Sequence, residues 1–336
     1  MSEYVSFVSS NKYVNYFDTK DHFNNGFLRL LSMSHNNFEH WMSLISSEGQ
    51  DIVSLLGDSF RKLNCITAPF INNAPIWFNY IAENPKYGIK LFEDEGVARL
   101  IRNDSLEIEE NPPIYEEDYF EGDKSIAGGY GEYITQAPWR LEKATRQVKE
   151  LSLITGLNIA KVLDIGSGYG YLRKALDNAG FNHFGIEVSQ HAINVTKSIY
   201  GFDTYAGTIS DYVRSNKEQF DIVTLCDVIE HIADPAYFLS EIYQVVKPGG
   251  FVMIKTPNID CPEVDIFGPY YHSFKREHLI YFSAKGLTNY SINAGFCVHK
   301  ATSISHLLKG FVKEAQVKEW ENMLRGSDLV VYLRRL

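Results

Sequence analysis

"VLDIGSGYG", Val162–Gly170, is the stretch that decides how this chain folds. An apolar run carries one aspartate, Asp164, and then gives up side chains at Gly166, Gly168 and Gly170, with Ser167 between them. A strand that runs straight into a glycine-rich turn and a helix brings backbone close to a ligand. Glycine lacks Cβ and tolerates positive φ, and a helix start offers free N–H groups.

The surrounding pattern agrees. "KVLDIG" (161–166) is a short apolar run and "YLRKALDNAG" (171–180) is helical, closed by Gly180. "HFGIEV" (183–188) reads as a second strand and "SQHAINVTKSIYG" (189–201) as a helix with Ser189 at its N-cap. "DTYAGT" (203–208), "FDIVTLCDV" (220–228) and "FVMIKTP" (251–257) continue the strand series. The helix "PAYFLSEIYQVV" (235–246) and a "KPGG" turn (247–250) stand between the last two. "FCVHKAT" (296–302) and "SDLVVYLRR" (327–335) read as two more strands. Strands alternating with helices imply a parallel sheet covered on both faces. Ligands of such sheets bind at the carboxyl ends of the strands, where the glycine turn lies.

The turn also narrows the ligand. Glu187 ends the second strand, 187 − 166 = 21 residues after Gly166, where a carboxylate can accept both hydroxyls of a ribose. The spacing is Gly-x-Gly-x-Gly, not the Gly-x-Gly-x-x-Gly of dinucleotide binders. Asp164 before the turn would repel a phosphate and suits a cationic amino-acid group. Together these point to a nucleoside joined to an amino acid, and they speak against a nicotinamide-dependent oxidoreductase.

Bulk composition sets outer bounds. The 336 residues exceed one average domain, and 45% hydrophobic with 22% charged residues describes a globular chain. A formal net charge of −10 argues against broad nucleic-acid binding. Cys65, Cys226, Cys261 and Cys297 form no CxxC pair, so no zinc or redox module is indicated. The N-terminus lacks the features of a signal peptide, and no apolar run reaches the ~20 residues that span a bilayer. A cytoplasmic protein is expected. "LEIEENPPIYEEDYFEGD" (Leu106–Asp123) holds eight acidic residues and two adjacent prolines, and reads as a solvated linker. It separates a domain at 1–110 from one at 111–336. In the first, "NNFEHWMSLISSEGQDIVSLLGDSFRKL" (36–63), "NAPIWFNYIAE" (73–83) and "GVARLIRN" (96–103) read as helices. A small, mostly helical domain for substrate recognition, capping or dimerisation is expected.

"VLDIGSGYG", "GIEVS", "FDIVTLCDVIEHIADP" and "VVKPGGFVMIKTPN", in that order, resemble the successive motifs of class I S-adenosylmethionine-dependent methyltransferases. The similarity spans about Tyr115 to Arg335. "YEEDYF", "GYGEY", "EHI", "TPN" and "EHLIYFSAKGLTNYSINAGF" are similar to the subgroup with ubiquinone-pathway O-methyltransferases and sugar or natural-product methyltransferases. The resemblance implies an α/β Rossmann-like, seven-stranded sheet with helices on both faces. It also implies S-adenosylmethionine as cofactor and a small-molecule acceptor, most readily a hydroxyl oxygen. N- or C-methylation and a non-catalytic binding protein are the alternatives.

By the same resemblance, Asp164, Gly166, Ser167, Gly168 and Gly170 would surround the methionine part. Glu187 would hold the ribose, with Val188 against the adenine. Gly207, Thr208 and Ile209 would follow the third strand beside the adenine; Asp211 arrives late for the acidic contact many relatives make there. Asp227 and Val228 would lie beneath the sulfonium. Tyr133 and Arg140, in "GYGEYITQAPWR", would close over the methionine end, with Gly128, Gly129 and Gly131 as lid hinges. His231 and His278 compete for the role of general base, with His272 a weaker third. No metal is assigned: Asp227, Glu230 and His231 are hard ligands, but neighbours on one turn rarely converge without outside help. Oligomeric state is open, with a homodimer among the options.

Overall fold

The computed structural model describes residues 87–92, 95–102, 120, 137–215, 218–267, 273–275, 277–305 and 314–336. The helices read at 36–63 and 73–83, Tyr133, the glycines at 128–131 and His272 lie outside the described residues. The chain divides into two compact units. One comprises residues 1–109, 257–284 and 302–329; the other comprises 110–256, 285–301 and 330–336.

The second unit carries the strands and helices around the glycine turn. Helix α1 (Ala137–Thr155) precedes strand β3 (Lys161–Ile165). Then come α2 (Tyr171–Asn178), β4 (Asn182–Glu187), α3 (Gln190–Tyr200), β5 (Tyr205–Ala206), α4 (Ile209–Ser215) and β6 (Phe220–Cys226). A 3-10 turn (Ile229–His231) leads to α5 (Pro235–Val245) and β7 (Val246–Pro257). Strands β9 (Phe296–Ile304) and β10 (Asp328–Arg335) complete a seven-stranded sheet in the order β5-β4-β3-β6-β7-β10-β9. The pairs β3/β4, β3/β6, β4/β5 and β6/β7 are parallel. Val162, Leu163, Ile165, Ile222, Val223, Leu225, Val252, Met253 and Ile254 are all buried. Consecutive residues therefore face away from water on both sides, as a sheet covered by helices requires.

The local signals are met where they are chemical. Ser189 Oγ accepts the Ala192 N–H at 3.2 Å and caps α3. Asp234 Oδ1 accepts the Tyr237 N–H at 3.0 Å, with Pro235 in the first turn of α5. The "KPGG" turn is absorbed into β7: the register jumps from Phe220↔Val246 to Ile222↔Phe251, so the segment bulges out of the ladder. The third strand is shorter than expected, two residues rather than six, because only Tyr205 and Ala206 pair with β4.

The first unit corrects one expectation. "GVARLIRN" is not a helix but strand β2 (Val97–Arg102), central in a three-stranded sheet between β1 (Tyr87–Phe92) and β8 (Ile280–Phe282). The apolar residues Val97, Ala98, Leu100 and Ile101 fit helical spacing by chance. Antiparallel partners on both edges override that local preference. Short segments α6 (Pro262–Phe267), α7 (Ala284–Asn293) and α8 (Glu314–Asn322) complete the described helices. Asn258, the last residue of "TPN", is fully buried and its amide donates to Leu324 O at 2.9 Å and Gly326 O at 2.8 Å. Its role here is to staple a turn.

Candidate functional site

Strand β3 lies between β4 and β6, so the chain leaves it in opposite directions, and the crevice at its carboxyl end is a topological switch point. Gly166, Gly168 and Gly170 all hold positive φ, at 67°, 49° and 75°. Two of them are also sterically required. A Cβ on Gly166 would lie 2.5 Å from Val228 Cγ2, and one on Gly170 2.9 Å from Thr196 Cγ2.

The N–H groups of this turn are largely taken up by the protein itself. Gly166 and Ser167 both donate to Ile186 O, at 2.9 and 3.1 Å, and Gly170 donates to Ser167 O at 2.9 Å. Gly168 donates to Glu187 Oε2 at 2.7 Å. A phosphate-binding turn presents such donors to its ligand; these four do not. Ser167 Oγ has no hydrogen-bond partner among the described residues. It lies with the Arg173 guanidinium against Gly185, where an added Cβ would meet both within 2.9 Å.

Glu187 is buried at the end of β4 and fastens the turn to its own strand. Besides Gly168, its carboxylate accepts Val188 N–H and Ser189 N–H on Oε1, each at 2.9 Å. Burial raises its pKa, and the three backbone donors oppose that rise. A carboxylate has about four acceptor sites, so Oε2 retains one for a ligand. Beside it, the Val188 side chain is half exposed, presenting an apolar surface. Gly207 donates to Glu187 O at 3.0 Å. Ile209 is core, and Thr208 is exposed. Asp211 holds the start of α4: its Oδ2 accepts Thr208 N–H at 3.0 Å and Thr208 O–H at 2.7 Å. These bonds, with Arg214, bring its carboxyl down to about 2.

Asp164 sits beneath the turn, buried, and accepts the Thr224 hydroxyl at 2.7 Å. Burial pushes its carboxyl up to about 7 against the pull of Thr224 and Arg173. A carboxyl raised in the folded state adds stability at low pH that fades as pH rises through the folded value. Relative to wild type, Asp164→Asn is therefore expected to gain about 2–3 kcal/mol on going from about pH 5 to about pH 8. Urea unfolding at both pH values measures this. A difference between the two proteins that stays constant with pH would contradict it.

At the end of β6, Asp227 adopts a left-handed backbone, φ 58°. Its N–H donates to Lys255 O at 2.9 Å and its Oδ1 meets Lys255 Nζ at 2.5 Å. Glu230 is buried, and its Oε2 accepts the Thr256 hydroxyl at 2.9 Å. Burial, then the Asp227 charge, hold its carboxyl above the ordinary range. His231 closes the 3-10 turn and donates its backbone N–H to Val228 O at 3.0 Å. His278 belongs to the first unit, where it is buried with its ring 6.0 Å from that of Tyr281. Arg140 is half-buried on α1, its guanidinium 5.9 Å from the Trp139 ring. The second unit thus brings together the glycine turn, Glu187, Val188 and the Asp227–Val228 turn.

Three residues of the second unit were not singled out from sequence. Arg173, on α2, is 2% exposed and donates to Thr204 Oγ1 at 2.7 Å, Asp203 O at 2.8 Å and His183 Nδ1 at 3.3 Å. An arginine on a helix reads as a surface residue, and nothing local signals its burial. Lys255 and Thr224 sit inside apolar strands, and a polar residue breaking such a run is the one available signal. Among the thiols, Cys261 is buried, Cys226 half-buried and Cys297 exposed. Among the described residues no helix is long and apolar enough to cross a membrane.

The sheet order and the glycine turn at its switch point define the class, a Rossmann-like α/β methyltransferase fold. The family described as "Methyltransferase domain" matches residues 133–301, half of the chain, and the chain belongs to that family. It is similar to a ubiquinone biosynthesis O-methyltransferase of Hydrogenovibrio crunogenus, 32% identical over 103 residues, which cover 29% of this chain and 42% of that protein. A protein of the same name from Thiobacillus denitrificans is 35% identical over 103 residues, covering 29% of this chain and 44% of that one. The chain thus spans less than half the length of these two relatives. A solved SAM-dependent methyltransferase from Archaeoglobus fulgidus aligns with a TM-score of 0.47 at 17% identity, covering 60% of this chain and 99% of that one.

Proposed function

We propose that the protein transfers a methyl group from S-adenosylmethionine to a hydroxyl oxygen of a small molecule. The observation that carries the reading is the glycine turn, four of whose N–H groups are engaged inside the protein, with Glu187 at its side. That arrangement suits a nucleoside without phosphates. Glu187 Oε2 keeps an acceptor site for a ribose hydroxyl, and the half-exposed Val188 offers a face to a base. The name shared by the curated relatives supports oxygen as the acceptor.

The donor, when bound, supplies an electrophilic methyl group. The acceptor oxygen forms a bond to that carbon as the sulfur–carbon bond breaks and its electron pair stays on sulfur. The oxygen's proton must leave in the same event. His231, at the end of the turn after β6, is our candidate for the imidazole that accepts it. The protein otherwise aligns the two reactants, an effect that can lower a barrier by roughly 7–11 kcal/mol. Residues 1–110 are our candidate for acceptor recognition and 111–336 for the methyltransferase domain.

Incubation of the full chain with methyl-labelled donor and a panel of phenols, catechols and sugar alcohols tests this. Label on oxygen, with turnover at least about tenfold slower in His231→Ala, is the expected result. Label recovered only on amines would move the assignment from oxygen to nitrogen. Unimpaired turnover in His231→Ala would remove it as the base.

A further inference from the structure

The buried lysine behind Asp227 is unexplained by the reading so far. Lys255 is 2% exposed, on a strand otherwise apolar at this depth. It grips Asp227 at two points, by its carbonyl on the backbone N–H and by its ammonium on the carboxylate. Asp227 needs such a grip, because a left-handed backbone is strained for a residue with a Cβ. The next residue, Val228, lies against Gly166, so the gripped turn and the glycine turn form adjoining walls. The pair is also oriented: the Lys255 side chain is 3% exposed and that of Asp227 35%, so the anion faces outward and the cation is behind it.

A methyl donor and its spent product differ here in one respect that matters electrostatically. The donor's sulfur carries a positive charge and the product's thioether does not; the amino-acid ends are alike. We infer that the Asp227–Lys255 pair sets the relative affinity for the cationic donor and the neutral product, with Lys255 acting as a positioning residue that trims the pull of the Asp227 carboxylate. This rests on the methyl-donor reading above. A bare carboxylate would favour the sulfonium; a bare ammonium would oppose it; the pair lies between. The effect of each charge is large because neighbouring charges near a protein surface interact far more strongly than in bulk water.

The test is calorimetric titration of the full chain with S-adenosylmethionine and S-adenosylhomocysteine separately. The readout is the ratio of the two dissociation constants, product over donor. Lys255→Met is expected to raise this ratio about tenfold and Asp227→Asn to lower it about tenfold, with Lys255→Arg near wild type. Asp227→Asn is nearly isosteric and its side chain is only partly buried, so it gives the ratio even where Lys255→Met does not fold. A ratio unchanged in Asp227→Asn, with both ligands bound by wild type, overturns the inference and leaves the donor reading standing. Wild type that binds neither ligand overturns the donor reading, and this inference with it.

Discussion

Glu187→Ala is expected to lower affinity for S-adenosylhomocysteine by about 1–3 kcal/mol, the scale of lost hydrogen bonds to a charged group. It is also expected to destabilise the fold by about 3 kcal/mol or more, because each buried donor left unmatched costs about 1–3 kcal/mol. Three N–H groups lose their acceptor at once, those of Gly168, Val188 and Ser189. Glu187→Gln should not rescue fully. Its amide nitrogen would face backbone donors where an acceptor is needed. Stability alone would not establish contact with a ribose, so the 2′-deoxy analogue of the ligand is needed. It should bind wild type more weakly than the parent does. In Glu187→Ala the parent and the analogue should bind alike. Equal loss from the 2′-deoxy change in both proteins would remove Glu187 as the ribose partner, whatever its effect on folding.

The second large effect is at Gly166. Gly166→Ala should destabilise by about 2–5 kcal/mol, from two separable causes. Left-handed backbone costs an alanine roughly 1–2 kcal/mol, and overpacking adds about 1–3 kcal/mol. The overpacking has a named partner, Val228 Cγ2, 2.5 Å from the added carbon, and a β-branched side chain has little freedom to turn away. Adding Val228→Ala should therefore recover the packing part and leave the backbone part. Denaturant midpoints for the four proteins of the cycle give both. Strict additivity would contradict the contact between the glycine turn and the turn after β6.

The legible part of this fold is where one residue carries a local chemical demand. Alternate glycines after an apolar run needed positive φ, and all three have it. Ser189 was read as a cap and is one. Glu187 at a strand end reads from sequence as a ligand acceptor; what the structure shows is that it anchors the turn, which no spacing rule discloses. Strand β2 was misread because Val97, Ala98, Leu100 and Ile101 satisfy a helical period, and only its partners β1 and β8 decide otherwise. Arg173 and Lys255 were passed over for a common reason. Each is a charged residue whose burial depends on groups distant in sequence: Thr204 and Asp203 for one, Asp227 for the other. Long-range electrostatic pairing leaves no periodic trace. Asp211, suspected as a late adenine contact, holds the first turn of α4 through Thr208, a role that its place three residues after a threonine could have suggested.

On the proposed function, the crevice at the end of β3 takes an adenosyl amino acid and not a dinucleotide. Calorimetric titration of the full wild-type chain with S-adenosylhomocysteine and with NAD, side by side, tests it most directly. A one-to-one complex with S-adenosylhomocysteine, weakened in Glu187→Ala, is expected, with no heat from NAD beyond dilution. Saturable binding of NAD with none of S-adenosylhomocysteine would overturn the assignment of "VLDIGSGYG" to an adenosyl amino acid.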